Sequence, residues 1–146
     1  MSFQPFLLAI FCDDVRVEAG NKVSYMGVYG PNLIVHSLPT TLLKLCCVFH
    51  LRIPATMKPQ HVVLRLLRDD QPISEIQVAP TAANEAAERL ADEAVGTHAI
   101  AFNHVVPLVN LMISQPSVLK AQAVVDGKEI RGGGLELMAA DGAPLA

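Results

Sequence analysis

The chain has 146 residues, 51% of them hydrophobic and 17% charged, with a formal net charge of −3; that suits one domain, spanning 1–146, able to bury a core without disulfides or metals. This composition excludes a disordered chain, and the acidic balance leaves no basic surface for phosphate, so nucleic acid is not an expected partner. Aromatic residues make up only 5% and Trp is absent, so ring-face binding platforms are disfavoured and Leu, Val, Ile and Ala must fill the core.

The opening "MSFQPFLLAIFC" carries an apolar run but lacks the features of a secretory signal, because no Lys or Arg precedes Arg16 and the bulky Phe11 precedes Cys12. No apolar run reaches the length of about 18 residues that a membrane span needs, so a cytoplasmic protein without a span is expected. The cysteines agree with that location. Cys12, Cys46 and Cys47 are odd in number and form no C-x-x-C, and the adjacent pair points to opposite faces of a strand. Neither a disulfide framework nor a zinc site follows.

From Phe11 to Gly30 the sequence reads "FCDDVRVEAGNKVSYMGVYG". A three-residue loop at Ala19, Gly20 and Asn21 makes this a hairpin in which Glu18 faces Lys22, Val17 faces Val23, Val15 faces Tyr25, Asp13 faces Gly27 and Phe11 faces Tyr29. Asp is disfavoured within strands and a buried carboxylate needs a partner. Gly27 leaves room for Asp13, and Arg16, two residues from Asp14 on one face, is the expected partner of that carboxylate. Asp13, Asp14 and Arg16 are therefore read as a structural polar cluster and not as catalytic acids or metal ligands. The residues Phe11, Cys12, Asp13, Asp14, Val15 and Arg16, followed by Gly20, Lys22, Gly27, Tyr29 and Gly30, spell F-C-D-D-[IV]-R, G-x-K and G-x-Y-G. This pattern resembles the opening of an uncharacterised bacterial family of small β-rich proteins, also seen in phage-associated settings, whose function is unknown. The resemblance implies a sandwich fold and supplies no activity, cofactor or catalytic residue.

Further along, "LLKLCCVFHLRIP" alternates Leu43, Leu45, Cys47, Phe49, Leu51 and Ile53 with Lys44, Cys46, Val48, His50 and Arg52, the pattern of a strand with one face in the core and one in water. Leu43, Leu45, Phe49 and Leu51 are the predicted central core strand. Val62, Leu64 and Leu66, the turn "RDDQP", then Ile76 and Val78 predict a second hairpin. "TAANEAAERLADEAVG" is rich in helix formers, with Thr81 to cap its start and Gly96 its end, and predicts one short helix at 82–94. Ile100 and Phe102 share the face of a later strand with His98 and His104. Turns at "SQPS" and at Asp126-Gly127 then divide a C-terminal meander.

About eight short strands with this spacing predict an all-β fold, an antiparallel β-sandwich of immunoglobulin-like or C2-like type, with a partly closed barrel as the alternative. Asp69, Asp70 and Asp126 sit in turn signals, which weighs against gathering them with Asp13 and Asp14 around calcium. His36, His50 and His61 are scattered. "RGGGLEL" lacks the helix and the Lys-Ser/Thr of a phosphate loop and reads as a bulge or a close backbone contact. No metal and no cofactor is expected. With no catalytic constellation, the expected function is a non-enzymatic protein-interaction or assembly module that binds a protein partner or itself. Leu108, Val109, Leu111, Met112 and Ile113 are the candidate surface, because they exceed what one strand face should bury. The alternatives are a calcium-dependent C2-like module, or a small enzyme using Asp13, Asp14 or a cysteine.

Overall fold

The computed structural model describes residues 3–78 and 99–140; the helix expected at 82–94 and His98 lie outside them. Among the described residues nine strands follow in chain order: β1 (Phe6–Glu18), β2 (Lys22–Val28), β3 (Asn32–Val35), β4 (Thr40–Pro54), β5 (Val62–Arg68), β6 (Gln71–Val78), β7 (Ala99–Ile113), β8 (Ser117–Val125) and β9 (Lys128–Ala139), with a 3-10 turn at Ala55–Met57. They form a four-stranded sheet A in the order β2-β1-β4-β7 and a five-stranded sheet B in the order β3-β9-β8-β5-β6. The fold is an all-β sandwich. Its strand order is not the A-B-E-D and C-F-G order of immunoglobulin domains. One pairing departs from the expected antiparallel pattern, since β3 runs parallel to β9.

The two inner faces build the core by period-two alternation. Leu45, Cys47, Phe49, Leu51 and Ile53 of β4 meet Val62, Leu64 and Leu66 of β5, Leu119, Ala121, Ala123 and Val125 of β8, and Leu135 and Leu137 of β9. The sheets come closest where β1 crosses β9. A Cβ on Gly132 would collide with the Leu7 side chain at 2.8 Å, and one on Gly133 would lie 3.6 Å from the Ala9 carbonyl. The β8–β9 register also slips between Lys120 and Gln122, so Gly132 and Gly133 together oppose Ala121. The "RGGG" stretch is thus both a bulge and a close contact, the two uses of strand glycine.

Sheet A divides partway along its length. β1 pairs with β4 from Phe6↔Arg52 only as far as Cys12↔Cys46. Beyond that point β1 continues against β2 to Glu18↔Lys22, and β4 against β7 to Thr40↔Ile113. The alternation slips at the same place. Leu42 and Leu45, three residues apart, both pack on the core, whereas Leu43 between them is 77% exposed. Asn110 falls opposite Leu43 in the register and has φ 54°, and Gly27 on the other edge has φ 65°. The predicted core role of Leu43 is therefore corrected: a left-handed residue in the partner strand rotates the faces by one position, and period-two counting cannot cross it. The β4–β7 ribbon carries the buried Ile113, and the Arg68 guanidinium donates from Nη1 to the Met112 carbonyl at 2.9 Å. The β1–β2 ribbon has no third strand among the described residues.

Candidate interaction face

The outer face of sheet A is not the watery face that alternation predicts. Cys12, Cys46 and Val48 form a second, smaller buried cluster, with Ile10, Val15, Tyr25 and Val105 packed around it. Tyr25 reaches from β2 across β1 to β4, where its hydroxyl lies 3.0 Å from His50 Nε2 and its ring meets the imidazole edge-on at 6.0 Å. His50 Nδ1 in turn lies 3.0 Å from Asn103 Oδ1, which also accepts from Arg52 Nη1 at 2.8 Å. Arg52 can only donate, so Oδ1 is the acceptor and His50 carries its proton on Nδ1. Nε2 then accepts from the Tyr25 hydroxyl. The chain Tyr25, His50, Asn103, Arg52 ties three strands together and roofs the small cluster. Sequence reasoning singled out only His50 of these four. Arg52 shares the face of His50 on β4, but Asn103 joins them only through the β4–β7 pairing and Tyr25 only by reaching across β1.

Asp13 and Asp14 lie on the line where the sheet divides. The β1–β2 register is the predicted one, Cys12↔Val28 through Glu18↔Lys22, closed by the Tyr29 N–H donating to the Phe11 carbonyl at 2.8 Å. A Cβ at Gly27 would overlap the Asp13 carboxylate, which occupies the space glycine leaves and accepts from the Tyr29 hydroxyl at 2.5 Å. Asp14 Oδ1 accepts from the Val15 N–H at 2.9 Å and from Lys44 Nζ at 2.7 Å. The expected Asp14–Arg16 pair is corrected: Arg16 Nε donates to Glu18 Oε1 at 2.7 Å. Lys44 takes its place because continuing the β1–β4 register two residues past Cys12↔Cys46 sets Lys44 opposite Asp14, so the pair bridges the division.

The Lys44 hydrogen bond, with that from Val15, holds the Asp14 carboxyl below its ordinary 3.8. A carboxylate with a lowered folded value stabilises above its unfolded value, and that contribution is lost as pH falls through the folded one. In a thermal double-mutant cycle, Asp14→Asn and Lys44→Met are expected to be non-additive at neutral pH, while Asp14→Asn and Arg16→Ala are additive. The pair is solvent-exposed, so its coupling should shrink in high salt and vanish in strong acid.

Tyr29 gives a signal at the other end of the pH scale. Burial, and then its bond to Asp13, push its hydroxyl from 10.0 up to about 12. The raised value means full stabilisation below the unfolded value and loss above it, so stability should fall between about 10 and about 12. Ultraviolet titration is expected to show a late ionisation step that Tyr29→Phe removes.

The remaining candidates do not converge. Asp69 caps the β5–β6 turn, its Oδ1 accepting from the Val118 N–H at 2.9 Å, while Asp126 Oδ1 accepts from the Gln60 and His61 N–H groups at 2.8 Å each. These sites flank opposite ends of the β5–β8 pair, which runs from Val62↔Val125 to Arg68↔Leu119, a span of roughly 20 Å. Five aspartates on two sheets do not make one calcium shell, and no group of three metal-ligating side chains occurs among the described residues. His36, His61 and His104 are exposed and apart. The three thiols are free and buried, and burial raises all of them, Cys47 to about 12. Such thiols stay protonated and make poor nucleophiles.

The proposed surface at Leu108 to Ile113 is half core. Ile113 is fully buried and Leu108 and Leu111 pack on the main cluster; only Val109 and Met112 stand exposed. The slip at Asn110 turns the excess of apolar residues inward on both sides, which accounts for the count that one regular strand face does not explain. The larger unpartnered apolar feature is the β1–β2 ribbon. There Val17 and Val23 oppose each other, 78% and 50% exposed, on the face that Val15 and Tyr25 continue toward the small cluster. Among the described residues no helix is long and apolar enough to cross a membrane.

No curated protein and no solved structure matches the chain. The model of a family described as a family of unknown function (DUF6941) matches residues 7–137, from the buried Leu7 of β1 to the buried Leu137 of β9, and the chain belongs to that family.

Proposed function

We propose that the chain is a non-enzymatic assembly module that pairs with a second copy of itself along the free edge of β2. The exposed valine pair on a two-stranded ribbon carries this reading, since an isolated ribbon with an uncovered apolar face is only marginally stable in water. Four strands form the sheet edges among the described residues: β2, β7, β3 and β6. β3 has four residues, and β6 and β7 contain Pro72 and Pro107, which cannot donate to an added strand. β2 has no proline, and Lys22 is its single charge, so it lacks the usual protection of an edge. Two β2 strands meeting antiparallel about a two-fold axis join the four-stranded sheets into one and set their valine pairs side by side.

The chemistry of the polar groups supports a module without catalysis. The thiols are buried and protonated, both nitrogens of His50 are engaged, and Asp13 and Asp14 are held by Tyr29 and Lys44. Three free thiols also suit a reducing cytoplasm. Light scattering at tens of micromolar is expected to return twice the chain mass for the natural sequence and the single-chain mass for Val23→Lys, with unchanged circular dichroism. A natural chain that stays monomeric at that concentration contradicts the proposal.

A further inference from the structure

A cavity of 480 Å³ opens on the outer face of sheet B, away from the ribbon. The pairing explains its walls. Arg65 of β5 lies opposite Gln122 of β8, and Gln122 opposite Arg131 of β9, so two arginines flank one amide from strands about 9.5 Å apart. Lys120 stands opposite Leu67, which is itself opposite Pro72, so an aliphatic wall adjoins the cations. Beside Arg131 the backbone of the bulge at Gly132 and Gly133 continues the lining.

The charges in this groove are unequally satisfied. Arg65 Nε pairs with Glu75 Oε1 at 3.1 Å and Lys120 Nζ with Asp70 Oδ1 at 2.9 Å, whereas Arg131, which shares its wall of the groove with the Glu129 carboxylate, has no salt bridge among the described residues. It lines the same cavity, opposite Gln122 and diagonal to Lys120 across the bulge. The Asp70 carboxyl is held below its ordinary value by the Lys120 hydrogen bond and charge, and more weakly by the charge of Arg131. Asp70 therefore occupies part of a two-cation site from an exposed turn.

We infer that this groove binds the anion of a small aliphatic carboxylic acid, its carboxylate on Arg131 and Lys120 in competition with Asp70 and its hydrocarbon body against Leu67 and Pro72. The planar fork of Arg131 matches a carboxylate bidentately, and among the described residues no aromatic ring lines the cavity to stack a nucleobase or sugar.

Chemical-shift titration of the ¹⁵N-labelled chain with pentanoate, pentanamide and inorganic phosphate tests this. Pentanoate is expected to give saturable shifts at Lys120, Gln122 and Gly132 through Gly134, with pentanamide and phosphate clearly weaker. Arg131→Ala should weaken pentanoate at least about tenfold, the loss expected for hydrogen bonds to a charged group. Asp70→Asn, which releases Lys120 and keeps the turn, should tighten it, a direction that general damage to the fold does not produce. Absence of saturable shifts in the groove, equal affinity in Arg131→Ala, or phosphate binding as tightly as pentanoate would each overturn the inference.

Discussion

Phe49→Ala is expected to cost about 3–5 kcal/mol, the loss typical of removing a ring from a closed core. Phe49 is fully buried at the middle of β4, the strand that pairs with both β1 and β7, and it belongs to the cluster that joins the two sheets. Truncation leaves a void that side chains fixed on three strands cannot fill, so the cavity term adds to the lost transfer energy. A domain typically holds only about 5–15 kcal/mol in total, so Phe49→Ala is near the limit of folding. Phe49→Leu conserves most of the volume and should cost about 1.5 kcal/mol or less, which keeps the comparison measurable by urea denaturation. Near-equal midpoints for Phe49→Ala and the natural chain would show that this strand is not the centre of the core.

The second large effect is at Gly27. Its φ of 65° already disfavours any side chain, and a Cβ there would overlap the Asp13 carboxylate. Gly27→Ala therefore combines left-handed strain with the loss of the Asp13–Tyr29 bond, roughly 2–4 kcal/mol together. The mechanism predicts partial rescue. Asp13→Ala should destabilise the natural chain by removing the Tyr29 partner, yet cost little in the Gly27→Ala background, because the carboxylate has already been displaced. Strict additivity would mean that Gly27 serves only backbone conformation and that the fit to Asp13 is incidental.

Gly27 and Asp13 also show what could be read without a structure. The loop residues Gly20 and Asn21 adopt φ 79° and 58°, and that turn fixes the hairpin register, so the pairing of a glycine with an awkward carboxylate followed from counting. The Asp126-Gly127 turn and the strands around it were legible for the same reason, since local turn chemistry sets local register. Leu43 was misread because the slip that exposes it originates at Asn110, 67 positions away in a strand whose pairing is not local. Lys44 was missed as the partner of Asp14 for a related reason. Arg16 is nearer in sequence, but Lys44 is nearer in the sheet, and only the β1–β4 register reveals it.

The outer face of sheet A was hidden more deeply. Cys46 and Val48 occupy the positions that alternation assigns to water, and they are buried because Tyr25 crosses a whole strand to reach His50. The sandwich itself was legible in the period-two pattern, whereas the sheet order and the parallel β3–β9 pair were not, because strand patterns carry no record of their neighbours.

Isotope-filtered nuclear Overhauser measurements on a mixture of ¹³C/¹⁵N-labelled and unlabelled chains test the pairing of β2 most directly. Antiparallel β2 strands predict intermolecular contacts among Val23, Ser24, Tyr25 and Met26, lost together in Val23→Lys. A dimer whose intermolecular contacts fall on Val109 and Met112, with none in β2, would contradict the account and move assembly to the opposite edge of sheet A.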